Sequence, residues 1–175
     1  DKMGKVSKNS MNPLQEVASN KLFRRLWVSQ IASQLASNIF IFLLALLIYR
    51  RTGSNAAVSG LFLSYGFPSF LFGVVAGTIV DRLDRRAVLI FAHILRGFLV
   101  VGVFFFEYQI GATYLLMFLF AVINQMTVPS EAPLIPKFVR KERLVTANSL
   151  FSSTFYGSMA VGLIAAGPLL RFLGR

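Results

Sequence analysis

The chain has 175 residues, of which 55% are hydrophobic and 14% charged, with a formal net charge of +11. Soluble domains carry about 25% charged residues, so a mean hydropathy of +0.66 points to burial in lipid rather than exposure to water. The absence of cysteine excludes disulfides and thiolate metal sites. The basic residues gather in short stretches between apolar runs, which argues against nucleic acid as their partner.

Residues 1–25 are polar and basic and lack the pattern of a secretory signal; they are expected to form a cytoplasmic segment. A helix crossing the hydrocarbon core needs about 20 apolar residues, and residues 26–49 supply 24 without a charge. Within this first span Gln30, Gln34 and Asn38 recur every four residues, beside Ser29, Ser33 and Ser37. One face is therefore polar. Two roles fit it: lining a substrate cavity, or hydrogen bonding to neighbouring helices.

The second span, residues 56–80, has 25 uncharged residues. Ser69, Gly73, Gly77 and Asp81 recur at spacing four, so small residues that admit another helix backbone lead to a carboxylate at the membrane surface. Such a carboxylate suits an arginine or the positive end of a helix. Asp81, Arg82, Asp84, Arg85 and Arg86 then crowd the turn between two long apolar runs. Topology alone requires the arginines but not the acids.

The third span, residues 87–106, carries Arg96 as its tenth residue of 20. An arginine at that depth costs about 2.5–3.5 kcal/mol, so it must face the bundle interior or water. Substrate or anion contact, a structural ion pair, and snorkelling are the roles open to it. His93 lies one turn earlier on the same face, as a packed neutral imidazole or a proton relay. The fourth span is shorter, residues 112–128. Glu107 is expected at an outer helix end and Glu131 in a cytoplasmic loop, leaving no acid deep in the spans. The fifth, residues 144–170, has a close-packing stripe of Ser158, Gly162 and Ala166.

Strands of about ten residues with alternating polarity, the mark of a membrane barrel, are absent. The expected fold is all-α: a polytopic membrane bundle of about five transmembrane helices. Because the last apolar run stops just before the chain does, it is expected to be an incomplete six-helix half of a longer protein, with residues 171–175 a truncated end. Thirteen Lys and Arg fall in the N-terminal segment and the second and fourth connections, against four on the opposite side. That bias places the N-terminus in the cytoplasm; the protein is expected in the plasma (inner) membrane.

The stretch "GTIVDRLDRRAVL", residues 77–89, resembles the cytoplasmic loop signature of the major facilitator superfamily, with Gly77, Asp81, Arg82, Arg85 and Arg86 in matching positions. "FRRLWVSQIASQLAS" and "RTGSNAAVSGLFLSYGFPSFLFG" resemble the first two helices of its efflux branch that includes siderophore and macrolide exporters, and "PSEAPLIPKFVRKERLVTANSL" is similar to that branch's fourth-to-fifth connection. The resemblance implies twelve helices in two halves, of which this chain holds most of the first, rocking around a central site. It also implies that Asp81 clamps the halves in one state, with its partner in the missing C-terminal half. The chain departs from the pattern at Asp84, where the family often has Gly, and at His93, where similar exporters often have Asp. The fourth helix lacks the intramembrane Arg of many proton-coupled relatives, and Leu163, not Pro, follows Gly162.

These features lead to a secondary transporter that exports a small molecule, with a proton among the coupling ions it allows. The alternative is a truncated, non-transporting membrane protein or a membrane interaction subunit. No Walker-type phosphate loop occurs, and His93 stands without clustered His or carboxylate ligands, so no enzymatic activity, cofactor or metal is expected.

Overall fold

The computed structural model describes residues 12–106 and 109–172. Lys2, Lys5, Lys8, Glu107 and Arg175, and with Glu107 part of the outer connection at 107–111, lie outside the described residues. The chain is helical from end to end, with no strand among the described residues: α1 Pro13–Ser19, α2 Lys21–Thr52, α3 Asn55–Val80, α4 Arg85–Phe106, α5 Ile110–Asn124, α6 Thr127–Glu131, α7 Ile135–Phe138 and α8 Leu144–Phe172. Among them are five segments long and apolar enough to cross a membrane. The protein is a multi-pass membrane helical bundle.

Local chemistry sets the breaks. Asn20 ends α1 and starts α2, its Oδ1 accepting the Leu22 and Phe23 N–H groups at 3.0 and 3.2 Å. Gly53 ends α2 in the left-handed region at φ 60°, where a residue without Cβ is unstrained, and the Ser54 hydroxyl accepts from Ala57 N–H to begin α3. Two residues thus reverse the chain, which forces α2 and α3 to run antiparallel. Asp84 does the same for α4, its carboxylate accepting from Arg86 and Ala87.

The fourth crossing corrects two expectations. The apolar helical segment does not end at residue 128; it runs over Ile110–Phe138, broken into α5, α6, a 3-10 turn at Ala132–Leu134, and α7. Pro129, Pro133 and Pro136 cause the fragmentation. Each sits in a first turn, where its missing N–H is no loss, and prevents the preceding helix from continuing. The chain consequently folds inward, and Glu131 is buried, only 8% exposed, rather than lying in an open loop.

α2 packs most extensively against α8, α3 against α5, and α4 against α5. One apolar core, with Phe40, Leu44, Leu61, Met117 and Phe120, joins α2 through α5. A second, with Val17, Phe23, Ile135 and Ala147, ties α1, α2, α7 and α8 together at the opposite end. Outside these cores, Leu63, Phe70, Val74 and Ile164 are among the large apolar side chains turned outward, a surface that water would penalise and lipid accommodates.

Candidate functional site

Between the two cores lies a polar centre built around Arg96, which is 6% exposed. Its Nη1 donates to Asn124 Oδ1 at 2.7 Å and to Ser37 Oγ at 3.2 Å. Its Nη2 donates to Ser33 Oγ at 2.6 Å and lies 3.4 Å from His93 Nδ1. Guanidinium has no acceptor, so this contact can be a hydrogen bond only where the imidazole nitrogen accepts. The guanidinium also stands 5.6 Å from the centre of the Phe120 ring, within reach of its negative face. Asn124 Nδ2 donates in turn to Tyr65 Oη at 3.2 Å. One hydrogen-bonded chain therefore crosses α2, α4, α5 and α3. Of the roles open to Arg96, the described geometry is of an interior charge solvated by neutral oxygens. Glu131 is within its electrostatic reach without a direct ion pair between them among the described residues.

The polar face of the first span is divided between a seam and a cavity. Asn38 Nδ2 donates to Ser158 Oγ at 3.1 Å. One turn along α8, a Cβ at Gly162 would lie 2.7 Å from Asn38 Cβ and 2.8 Å from its carbonyl carbon. The two backbones approach this closely because Gly162 has no side chain. Trp27 Nε1 reaches Thr154 Oγ1 across the same seam at 2.8 Å. Gln30 and Gln34, by contrast, line a cavity of about 290 Å³ between α2, α6 and α8, with Glu131, Asn148, Phe151 and Phe155. Gln30 is 4% exposed; its Nε2 donates to Phe151 O at 3.4 Å, while its Oε1 has no partner among the described residues.

The charged turn stands apart from this interior. Asp81, its side chain 66% exposed, pairs with Arg85 at 3.0 Å, and Arg82 and Arg86 are exposed. A Cβ at Gly73 or Gly77 would meet open space, and Ser69 Oγ accepts from Gln125 Nε2 at 2.8 Å. The small-residue stripe thus touches α5's end only through the exposed Ser69 and is open toward Asp81 among the described residues. Arg96, His93, Gln30, Gln34, Asn38, Ser158 and Gly162 belong to the interior; the 77–86 group belongs to the surface.

Sequence reasoning did not pick out Tyr65, Phe120 or Asn124 as site residues and misplaced Glu131. Asn124 follows an uncharged run of 14 residues, and the amide pair Asn124–Gln125 at its end was the available signal. Glu131 lies between prolines, the signal that its segment would not stay an extended loop.

Alternating apolar helices with their polar side chains turned inward define a multi-pass membrane protein with a solvated interior. Residues 26–174 match the Major Facilitator Superfamily, and the chain belongs to that superfamily. It is 25% identical over 151 residues to an uncharacterized MFS-type transporter, YkuC, of Bacillus subtilis (strain 168), covering 85% of this chain and 35% of that protein. It is likewise 25% identical over 150 residues to macrolide efflux protein A of Streptococcus pyogenes, covering 81% of this chain and 37% of that protein. The chain spans about a third of the length of these relatives. No solved structure gives a significant match.

Proposed function

We propose that this chain provides helices of the N-terminal half of a secondary transporter, which exports a small molecule by alternating access. In this reading the protein sits in the plasma (inner) membrane with its N-terminus and the 77–86 turn in the cytoplasm. The remaining half is its partner, a proton is among the coupling ions it allows, and its interior groups Gln30, Gln34, His93 and Arg96 face or support the transport path. Asp81 is the latch.

The observation that carries this is the charged turn within a superfamily match over residues 26–174. Its carboxylate makes one ion pair, with Arg85, among the described residues and remains mostly exposed, available to a second structural half. Gly73 and Gly77 leave the adjoining helix face open to close approach. A latch contributing about 1–3 kcal/mol shifts the balance of two states by roughly 5–150-fold. Asp81→Asn in the full-length polypeptide keeps size and hydrogen bonding and removes the charge. Distances between spin labels on opposite halves are expected to redistribute between inward-open and outward-open populations, and transport to fall. Unchanged distances with unchanged transport would reduce the turn to a topology signal.

A further inference from the structure

We propose that the cavity between α2, α6 and α8 is a binding site for a small organic cation, anchored by Glu131 and Gln30; this rests on the transporter reading and specifies its substrate class. The cavity, about 290 Å³, is near the lower end of the range for small-ligand sites, which combine mostly apolar walls with a few placed polar groups. Its walls fit that description. Val128, Ile135, Phe151 and Phe155 supply apolar surface, and the polar groups are amides, a serine hydroxyl and one carboxylate.

The sign of the ligand's charge follows from what those polar groups lack. Glu131 is the sole ionisable residue lining the cavity, and it is nine-tenths buried. A buried carboxylate is costly unless it is paired. Arg96, the cation within its electrostatic reach, is already engaged by Ser33, Ser37 and Asn124 and makes no direct ion pair with it among the described residues. Gln30 Oε1 is a second buried acceptor without a partner among the described residues. Two unmet acceptors call for a donor or a cation rather than an anion. The Phe151 and Phe155 rings decide between an inorganic and an organic one: their faces attract alkylammonium groups, and the space far exceeds that of a bare metal ion.

The test uses the full-length polypeptide in lipid nanodiscs and radiolabelled benzyltrimethylammonium in equilibrium dialysis. Saturable binding is expected, displaced by choline and not by its uncharged isostere 3,3-dimethylbutanol. Glu131→Gln is expected to weaken binding by about tenfold or more and Gln30→Leu by about threefold. Phe155→Leu keeps bulk at a half-exposed position and removes a ring face, weakening binding by about threefold; it stands in if Glu131→Gln does not fold. Equal affinity in a folded Glu131→Gln protein overturns the proposal. So does unchanged affinity in Phe155→Leu where Glu131→Gln fails to fold, equal displacement by the neutral isostere, or the absence of any cation binding. Loss of cation selectivity with the two-state label distances intact would sink this site alone. A protein without those two states would sink the transporter reading itself.

Discussion

Replacing Gly162 with alanine places one methyl group against the backbone of α2, and the cost can be worked from the geometry. The new Cβ would lie 2.7 Å from Asn38 Cβ, 2.8 Å from Asn38 C and 3.0 Å from Ile39 N. Carbon atoms prefer separations of about 3.5–4.0 Å, so α8 must retreat by about 1 Å. Rotamer changes cannot relieve the contact, because the opposing atoms are backbone and Cβ. A gap of about 0.5–1 Å forfeits a quarter to a half of the dispersion energy across the affected contacts, and the seam concerned is the most extensive in the bundle. The Asn38–Ser158 hydrogen bond, 3.1 Å long, would stretch beyond bonding distance. Overpacking of this kind costs about 1–3 kcal/mol, and the lost hydrogen bond adds about 0.6 kcal/mol. Alanine's better helix propensity offsets about 1 kcal/mol. The expected net destabilisation is about 1–2 kcal/mol, measured as thermal unfolding of the purified full-length protein in detergent. Gly97→Ala is the control, since its Cβ meets nothing within 4 Å, and it is expected to be neutral or slightly stabilising. Adding Asn38→Ala should not rescue Gly162→Ala, because the clashing atoms remain. Equal stability of Gly162→Ala and the parent protein would refute the close-approach argument.

Asn124→Leu removes the 2.7 Å oxygen contact between Arg96 and α5 and is expected to cost about 1.5–3 kcal/mol in unfolding measurements, the usual range for a hydrogen bond to a charged group. Arg96→Leu removes the buried charge while roughly keeping bulk, so membrane levels should hold while transport falls; normal transport kinetics would leave Arg96 a purely structural role. Arg143 pairs with Glu16 at 2.8 Å with both side chains one-third exposed, so Arg143→Ala should cost about 0–1 kcal/mol, a loss that disappears in high salt. Single cysteines are clean probes in a chain without native ones: in intact cells a membrane-impermeant maleimide should label position 54 and spare position 84, and the reverse would invert the proposed orientation.

The helices were legible because hydropathy is a local property, and so was the need for Arg96 to face inward, since the penalty for exposing it to lipid does not depend on its neighbours. Its acceptors were only half legible. Ser33 and Ser37 could be placed on a polar stripe, but nothing in residues 110–124 says which way Asn124 turns; that depends on how α5 rotates against α3 and α4. Glu131 was misplaced for a related reason. Three prolines and an acid read as a loop when helix content alone is considered, whereas the fragments are short enough to fold back against α4 and bury the carboxylate. At the opposite extreme, the spacing of Ser158 and Gly162 gave a packing stripe, yet only the three-dimensional arrangement identifies Asn38 as what it meets.

The hub around Arg96 also imposes an order on biogenesis. Ser33 and Ser37 are 63 and 59 residues upstream of the arginine and have left the ribosome before it, whereas Asn124 follows it by 28 residues. When α4 first reaches the bilayer, its guanidinium has its serines within reach but not its amide, and it carries part of the roughly 2.5–3.5 kcal/mol insertion penalty of a lone arginine. That burden is lifted once α5 arrives. The arginine therefore favours retention of α4 at the insertion machinery until the next helix is made, coupling the partitioning of the two into lipid as one event.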